Sequence, residues 1–478
     1  MRNVLTFFII SIIFFVCLYI SIQSLAEERN LFKAYFKVLI EAYVPTYTSN
    51  DSNLKKLEEK SKVSLNALEA IKYLNVKTSD LRMVFYKEIP FEYNNTPFNI
   101  TLFKAPFLKY KGNVLELGNS YIDSFQDTLL IAQENGLFFS VSSDFYESAL
   151  AIKGIDLLKV PVEHLESNII DFISYLEFFS MSKFGLKDIL VVDNKLYASI
   201  IIEKEPRCFT NSILVAQISN KLNFEEFFSI NECINQYQSD EFNAHQSGGK
   251  MALLDENHIV FTTGDFRSRW LAQDSESYFG KILKIHLTDA SVSVLAKGTR
   301  NAQGIYVDQN NDKIWFTEHG PQGGDEINLL NLNDQNTNFG WPIASYGGHY
   351  GNSRIDKDGN IYEIRTRDIY KKFPLYKSHQ NYGFNEPVKY FVPSIGISDI
   401  IKINNSSKFS GNFYIVGAMG RPDNSTDQDM SLSFFKWEQN EIDDFQTIPI
   451  GERVRDFEII KEKVFFTSES NALIGLLE

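Results

Sequence analysis

The sequence predicts an all-β fold, a β-propeller, for most of its 478 residues, and three observations support this prediction. Short apolar or alternating runs begin near Arg82 and are separated by turns of Asn, Asp, Gly and Ser, as is typical of many short strands. The 40 Phe and 23 Tyr residues suit β-strands. One hairpin-like outline recurs six times, and radial stacking of such hairpins buries apolar faces that a single hairpin leaves exposed.

Each recurrence combines a strand, a turn rich in Asn, Asp or Glu, and a second strand that ends in small or polar residues. Between Asp127 and Ser470 the six read, in order, DTLLIAQENGLFFSVS, KDILVVDNKLYASIII, GKMALLDENHIVFTTGD, QGIYVDQNNDKIWFTEHG, SDIIKINNSSKFSGNFYIVGA and RDFEIIKEKVFFTSES. A β-sandwich or two packed β-domains is the alternative architecture. Six recurrences along one region favour the propeller.

The N-terminal residues 1–26 are predicted to be a signal anchor or a signal peptide. Val4 to Ile22 is almost wholly apolar and follows Arg2, and about 20 apolar residues are enough to cross a bilayer. An anchor would leave the rest of the chain outside the cytoplasmic membrane, in the periplasm, because the positive end stays inside. Cleavage after Ala26, which would secrete the chain, stays open, although the length of the apolar run favours the anchor.

The region 27–80 is predicted to be helical and to lie next to the membrane, with the propeller occupying 81–478. Apolar residues recur every three or four positions in LFKAYFKVLIEAY and in LKKLEEKSKVSLNALEAIKYL, which is the spacing of an amphipathic helix. No function for this region follows from its pattern.

The charge and the cysteines restrict the possible partners and the environment. The net charge of −14 argues against nucleic acid, because phosphate binding needs a basic surface. Cys208 and Cys233 could form a disulfide outside the cytoplasm, and two unpaired thiols are the other possibility.

Three segments combine titratable side chains with glycine-rich turns. HQSGGK places His245 ahead of a predicted strand, GTRNAQGI places Arg300 and Asn301 after a glycine, and GERVRDFEI carries Arg453 and Arg455. The histidine is a candidate base with an ordinary pKa of about 6.5. The two late arginines would face one side of a strand, which indicates an anionic partner.

A fourth feature, the stretch EHGPQGGDE, suits calcium. It combines carboxylates with a Gly/Pro loop whose carbonyl oxygens can be exposed, and Ca²⁺ prefers such oxygens. Taken singly, a histidine before a strand, paired arginines and a Gly/Pro turn are structural more often than functional. Their joint order along a repeat protein favours a site that holds a polyanionic cofactor and abstracts a proton.

The order of these motifs resembles the soluble pyrroloquinoline quinone (PQQ) sugar dehydrogenases, in particular their aldose sugar dehydrogenase branch within the glucose/sorbosone dehydrogenases. The segments that carry the resemblance are HQSGG, TTGD, GKILKIHL, RNAQGI, TEHGPQGGDEINLL, NFGWP and RVRD. It is clear from about Gly185 onward and strongest between His245 and Pro342. The resemblance implies a six-bladed propeller with PQQ on its axial face.

The resemblance also implies roles for the candidate residues. His245 matches the base that takes the proton of the sugar C1 hydroxyl while hydride passes to PQQ. Arg300 and Asn301 match the pair that polarises the quinone oxygens. Arg453 and Arg455 match the Arg-x-Arg that meets the PQQ carboxylates.

The remaining candidates are implied to bind the cofactor ring or calcium. Tyr350 matches an aromatic residue that lines the cofactor. Gly320 and Pro321 match a turn whose carbonyl oxygens bind the active-site calcium. Glu326 and Phe339 match the ligands of a second calcium, the phenylalanine through its backbone.

The chain departs from the family pattern at several positions. A lysine that the resemblance implies near the cofactor falls at Gly420. Phe184 stands where a glutamine is implied, and Ala244 precedes the histidine where some members carry an acid.

These observations predict a PQQ- and calcium-dependent sugar dehydrogenase that acts on the C1 hydroxyl of aldoses. Its partners would be a small sugar, an electron acceptor that the sequence does not identify, and the membrane through the N-terminal segment. A non-catalytic propeller that binds a carbohydrate or a protein is the alternative, and the departures above favour it. A metal-dependent lactone hydrolase would need more inward-facing acids than the sequence reveals.

Overall fold

The structure is a computed structural model of the chain. It describes residues 82–104, 108–110, 113–115, 119–134, 136–145, 159–172, 185–236, 242–334, 336–350, 353–355, 361–363, 372–403, 412–420, 429–469 and 473–477. The predicted anchor (1–26) and the predicted helical region (27–80) lie outside these residues, so both stay predictions. Within the described ranges, no helix is both long enough and apolar enough to span a membrane.

Almost all of the described chain is β-structure, and we number its strands in chain order. The first fifteen are β1 (Arg82–Tyr93), β2 (Thr96–Lys104), β3 (Leu108–Tyr110), β4 (Asn113–Leu115), β5 (Ser120–Phe125), β6 (Thr128–Gln133), β7 (Phe138–Ser142), β8 (Lys159–Pro161), β9 (Glu163–Ser167), β10 (Leu186–Val192), β11 (Lys195–Glu205), β12 (Cys208–Gln217), β13 (Lys221–Leu222), β14 (Glu225–Ser229) and β15 (Ile234–Asn235).

Eighteen further strands follow within the described ranges. They are β16 (Gly248–Asp255), β17 (His258–Thr263), β18 (Lys281–His286), β19 (Val292–Lys297), β20 (Ala302–Asp308), β21 (Lys313–Glu318), β22 (Asp325–Asn331), β23 (Thr337–Asn338), β24 (Ser353–Ile355), β25 (Ile361–Glu363), β26 (Lys389–Phe391), β27 (Ile397–Ile403), β28 (Phe413–Ala418), β29 (Ser431–Glu438), β30 (Glu441–Pro449), β31 (Val454–Ile460), β32 (Lys463–Ser468) and β33 (Leu473–Leu477). Within the described ranges, 3-10 turns lie at Ile169–Asp171, Ala244–Gln246, Arg269–Ala272, Gln309–Asn311 and Gln380–Tyr382.

Six sheets are arranged as the blades of a propeller, which confirms the predicted fold class, and β3-β4 and β24-β25 form two further two-stranded sheets. In chain order, the blades are built from β5-β6-β7-β9-β13, β10-β11-β12-β14, β16-β17-β18-β19-β23, β20-β21-β22-β26, β27-β28-β29-β30 and β31-β32-β33-β2-β1-β8. The first strand of each blade packs against the first strand of the next, and β31 packs against β5. These six innermost strands therefore enclose a central channel.

The six recurrences found in the sequence correspond to hairpins of the six blades. Five of them are the two innermost strands of a blade, as in β10-β11 and β31-β32. The first, DTLLIAQENGLFFSVS, is instead the hairpin β6-β7, and the innermost strand β5 precedes it. The first repeat is thus offset by one strand from the others.

The sixth blade closes the ring by joining distant parts of the chain. Strand β2 pairs antiparallel with β33, so that Ile100 lies opposite Leu477. Its core includes Phe98, Phe434 and Phe466, all of which are buried. Closure by such pairing removes the open edges that an unclosed ring of sheets would present.

Aromatic side chains fill the space between the fourth and fifth blades. Trp315 is fully buried, and its ring centroid lies 4.6 Å from that of Tyr414 and 4.8 Å from that of Trp437. Offset and edge-to-face pairs of this kind stabilise a core beyond the area that they bury. The abundance of Phe and Tyr therefore serves the packing of blade on blade.

Cys208 and Cys233 form a disulfide, with their Cα atoms 5.3 Å apart. The bridge ties the first residue of β12 to the loop before β15 in the second blade. Of the two possibilities that the sequence leaves open, the structure contains the bridge.

Gly475 in β33 provides a test of this packing. It lies opposite Phe466, and a Cβ atom at Gly475 would stand 2.1 Å from Cζ of that ring. We expect Gly475→Ala to lower the free energy of unfolding by about 1–3 kcal/mol, because overpacking displaces the ring. Urea denaturation measures the loss. The double variant with Phe466→Leu should lose less than the two single losses added together, and simple additivity would contradict the contact.

Candidate functional site

The candidate residues gather at one end of the central channel, where the innermost strands begin. A small polar cavity of about 70 Å³ opens there. Its lining comes from the first residues of five innermost strands or from residues next to them: Asn119, Tyr121, Lys187, His245, Ser247, Gly248, Lys250, Gln303, Arg455 and Glu469. Antiparallel pairing returns the end of each second strand to the same edge, which is why Glu469, just after β32, also reaches the cavity.

His245 reaches the polar cavity from the 3-10 turn that precedes β16. Its side chain is exposed, and its backbone N–H donates to Oδ1 of Asn243 at 2.9 Å. The glycines that follow permit a close approach between blades. Gly249 has φ +110°, and a Cβ there would lie 2.6 Å from Cβ of Lys187. The Ser-Gly-Gly turn therefore brings the histidine and the lysine of the neighbouring blade to one cavity.

Arg453 and Arg455 both contact one carboxylate of the chain itself. Glu469 accepts from Nε of Arg453 at 2.8 Å and from Nη2 of Arg455 at 3.1 Å. Although burial opposes its ionisation, Arg455 and Arg453 lower the pKa of Glu469 to about 2. Nε of Arg455 is buried and has no hydrogen-bond partner among the described residues. One donor thus stays available for a ligand.

Lys187 and Glu134 complete the charges around the polar cavity. Lys187 is 9% exposed. Burial and the positive charge of Arg455 lower its pKa to about 7, although the negative charge of Glu134 acts to raise it. Burial likewise raises the pKa of Glu134 to about 7, and Nδ2 of Asn119 donates to its Oε2 at 2.7 Å. Neither residue lies in a motif that indicates a site from the sequence alone.

Arg300 belongs to a second group beside the polar cavity. Its Nη1 donates to the carbonyl oxygen of His319 at 2.6 Å and to that of Gly320 at 2.7 Å. Its Nη2 lies 3.4 Å from the hydroxyl of Tyr350, which is a half-exposed ring. The guanidinium also stands 5.3 Å from the ring centroid of Trp341.

Asn301 connects the two groups. Its Oδ1 accepts from the backbone N–H of Gly248 at 3.0 Å and from Nε2 of Gln303 at 3.0 Å. Oε1 of Gln303 in turn accepts from Nη1 of Arg455 at 3.0 Å. A continuous chain of hydrogen bonds thus runs from the turn after His245 to the arginine of the sixth blade.

Asp265, the last residue of the TTGD segment, connects the NFGWP and RNAQGI segments through hydrogen bonds. Its Oδ2 accepts from Nε1 of Trp341 at 2.8 Å, and its backbone N–H donates to the carbonyl of Arg300 at 2.9 Å. Burial raises the pKa of Asp265, although the positive charge of Arg300 acts to lower it. The role is positional and explains why TTGD and GWP accompany the arginine in the sequence.

The four predicted calcium ligands lie in two places. The carbonyl of Gly320 is the one that already accepts from Arg300, and Pro321 follows it, buried. Oε1 of Glu326 lies 3.4 Å from Nε2 of His379. Phe339 is buried and packs edge-to-face on Phe316 at 4.8 Å.

The surroundings of Glu326 favour a cation. Glu318 lies directly opposite it in the β21-β22 pair, and burial together with Glu326 raises the pKa of Glu318 well above its usual range. Oε2 of Glu318 has no hydrogen-bond partner among the described residues. The described side chains nevertheless contain no group of three or more His, Cys, Asp or Glu residues placed to hold a metal ion.

Deeper in the channel, Lys250 is surrounded by three aspartates from three other blades. Its Nζ lies 2.9 Å from Asp188, 2.5 Å from Asp456 and 3.4 Å from Asp399. All four side chains are buried. Their attraction raises the pKa of Lys250 well above its ordinary value, although burial opposes this.

Next to this cluster lies a second cavity of about 260 Å³, lined by apolar strand residues together with Asp123, Glu458 and the four charged residues of the cluster. Inward-facing acids are therefore more numerous than the sequence suggested, which is a correction. In the sequence, each acid is a single polar residue within a strand. The sequence of one strand does not show that several strands direct their acids toward the same axis. Since Lys250 occupies the centre of the cluster, these acids do not form a metal site of the kind that a lactone hydrolase needs.

Comparison with known proteins agrees with this geometry. A sequence profile of the glucose/sorbosone dehydrogenase family matches residues 166–475. The chain belongs to this family.

Two curated relatives illustrate the match. The aldose sugar dehydrogenase YliI of Escherichia coli is 28% identical over 177 residues, which is 34% of this chain and 41% of that protein. An uncharacterised protein of Synechocystis, slr1608, is 29% identical over 216 residues, 42% of this chain and 45% of that protein. The matched segments thus span less than half the length of these relatives.

Solved structures of aldose sugar dehydrogenases share the propeller fold of this chain. The soluble aldose sugar dehydrogenase of Escherichia coli in its apo form covers 79% of this chain and 99% of its own, with a TM-score of 0.54 and 17% identity. The PQQ-bound aldose sugar dehydrogenase of Streptomyces coelicolor covers 76% and 95%, with a TM-score of 0.52 and 16% identity. At this level of identity the likeness concerns the propeller itself.

Lys250 allows a test of the central cluster. We expect Lys250→Met to lower the free energy of unfolding by about 3–5 kcal/mol at pH 8, because three buried carboxylates lose their counter-ion. The loss should be smaller at pH 6, since Asp188, whose pKa burial raises to about 7, can then take a proton. Urea denaturation at both pH values measures this, with Lys195→Met on the exposed end of β11 as the charge-matched control.

Replacement of Glu469 should also cost less stability as the pH falls, but over a lower pH range than replacement of Lys250. Its pKa is lowered in the folded state, so the stability that it contributes is present above its ordinary pKa of 4.5 and is lost as the pH falls toward about 2. We expect Glu469→Gln to lower the free energy of unfolding by about 1–3 kcal/mol at pH 7. The difference from the natural protein should shrink progressively as the pH falls from about 4.5 to 2.5. A difference that stays constant between these pH values would contradict the ion pairs.

Proposed function

We propose that the protein is a PQQ- and calcium-dependent oxidoreductase that oxidises the C1 hydroxyl of aldose sugars to the lactone. The observation that carries this proposal is the convergence of His245, Lys187 and Arg455 on one cavity that hydrogen bonds link to Asn301. The family membership supports an oxidoreductase of the sugar dehydrogenase type. The choice of cofactor and sugar follows the names of the similar proteins.

The residues at the channel end fit PQQ, a flat quinone that carries carboxylates. Arg455 presents a buried Nε–H that has no hydrogen-bond partner among the described residues. The cavity lining contains the cations Lys187, Lys250 and Arg455 and one carboxylate, that of Glu469. Tyr350 offers an aromatic face beside Arg300. PQQ, when bound, would supply the two-electron acceptor that no protein side chain provides.

His245 would take the proton of the sugar C1 hydroxyl. It is exposed at the channel end, so a sugar can approach its ring from solvent. The guanidinium of Arg300 is held by two carbonyl oxygens and would stabilise negative charge that develops on an oxygen beside it. The base acts only when neutral, so activity should fall as the pH drops below its pKa.

Binding of calcium at Gly320 would require a local rearrangement of hydrogen bonds. The carbonyl oxygens of Gly320 and Pro321 are suitable ligands for Ca²⁺. The oxygen of Gly320 accepts from Arg300 in this structure, so a calcium ion there requires this hydrogen bond to break. At the second place, the buried carboxylates of Glu318 and Glu326 would gain a counter-ion.

We also propose that residues 1–26 hold the propeller outside the cytoplasmic membrane, where it would pass electrons to a separate acceptor. The Cys208–Cys233 bridge supports an oxidising compartment. A fusion of these residues to a reporter that is active only after export would test the direction of insertion.

The function itself is tested by cofactor titration of the full chain. With PQQ and Ca²⁺ present, we expect dye reduction by aldoses that falls about 10²–10⁴-fold in His245→Asn, because the general base is lost, while PQQ binding persists. Arg300→Ala should weaken PQQ binding as well. Absorbance titration and dye reduction separate the two effects, and a chelator tests the calcium requirement.

Absence of PQQ binding to the natural protein at tens of micromolar cofactor would overturn the proposal. In that case the alternative, a propeller that binds a carbohydrate or a protein without catalysis, would explain the retained fold. Binding without aldose oxidation would keep the quinoprotein and reject the sugar as its substrate.

A further inference from the structure

Lys187 is a buried lysine of the channel end that has no assigned role in the proposed reaction. It is the second residue of β10, and it is 9% exposed. It lines the polar cavity together with His245 and Arg455. A lysine in so small a space costs desolvation energy, which indicates a function beyond filling volume.

The position of the lysine is enforced by the fold. The first residues of β10 are irregular in register between Leu186 and Asp188, so Lys187 projects as an extra residue at the channel end. Gly249 leaves room for its stem, since a Cβ there would lie 2.6 Å from its Cβ and 3.1 Å from its Cγ. Two local irregularities thus direct this side chain into the cavity.

The cavity suits one carboxylate of a larger ligand. Its volume of about 70 Å³ holds a small polar group and not a ring system. Lys187 and Arg455 provide cationic donors on its wall, and Nε of Arg455 has no partner among the described residues. Carboxylates bind most strongly to such charge-assisted donors.

We propose that Lys187, with Arg455, binds a carboxylate of the quinone cofactor and supplies the cation that Gly420 cannot. This inference rests on the proposed function. It assigns the anionic end of the cofactor to the first strands of the second and sixth blades. The quinone end would then lie toward Arg300 and Asn301.

Binding should be coupled to proton uptake. Burial lowers the pKa of Lys187 to about 7, so most of this side chain is neutral at pH 8 before the ligand arrives. An anionic ligand raises the pKa and draws a proton onto the amine. The charged or titratable groups that face it are Tyr121, Glu134, His245, Lys250, Arg455 and Glu469.

The test compares four forms of the full chain, natural, Lys187→Met, Lys187→Arg and Lys195→Met, titrated with PQQ and Ca²⁺. We expect Lys187→Met to weaken PQQ binding about tenfold to a hundredfold, the value of a charge-assisted hydrogen bond. Lys187→Arg should retain most of the affinity. The exposed control Lys195→Met changes the net charge equally and should bind like the natural protein.

Calorimetry at pH 8 in buffers of different ionisation enthalpy counts the protons taken up. The natural protein and Lys195→Met should take up more than both Lys187 variants, because arginine stays charged throughout and methionine never is. Equal affinity and equal uptake in all four forms would overturn the role of Lys187 alone. Failure of the natural protein to bind PQQ would overturn this inference together with the proposed function. The PQQ affinity of the natural protein therefore distinguishes failure of the proposed function from failure of the role of Lys187.

Discussion

The ammonium group of Lys250 is the interaction on which the arrangement of the blades depends. It lies on the channel axis within 3.4 Å of aspartates from the second, fifth and sixth blades, while the lysine itself belongs to the third. Asp456 also accepts from the backbone of Ile122 in the first blade. One buried charge therefore joins five sheets that otherwise meet through apolar side chains. Because an unpaired carboxylate is costly in such surroundings, relative displacement of these blades would be opposed by several ion pairs at once.

The same cluster separates the channel into two chambers of different chemistry. Lys250 lines both the polar cavity and the larger cavity beyond it. The polar cavity is lined by more cations than carboxylates and by His245, whereas five carboxylates line the larger one, those of Asp123, Asp188, Asp399, Asp456 and Glu458. An anionic ligand is therefore attracted to one end of the propeller only. The directionality follows from the first residues of the innermost strands and not from the overall charge of −14.

Much of the fold could be predicted from the sequence, because strand–turn–strand periodicity is local. The ring closure could not, since β2 and β33 pair over hundreds of residues and neither carries a distinctive motif. Arg453 and Arg455 were predicted to share an anionic partner, but Glu469 was missed, because proximity across a hairpin leaves no sign in residue spacing. Lys187 was missed for a related reason. Its significance comes from the bulge that directs it inward, and a bulge has no reliable sequence signature.

The closing blade has a consequence for the order in which the molecule becomes competent. Arg453, Arg455 and Glu469 belong to the sheet that β2 completes, and β33 is the strand that β2 pairs with. A chain emerging from the ribosome can form five blades and still lack half of its ligand-facing charges. A ligand that contacts Arg455 therefore needs this last blade to be in place. The strand order thus makes a complete set of cavity residues depend on a closed ring.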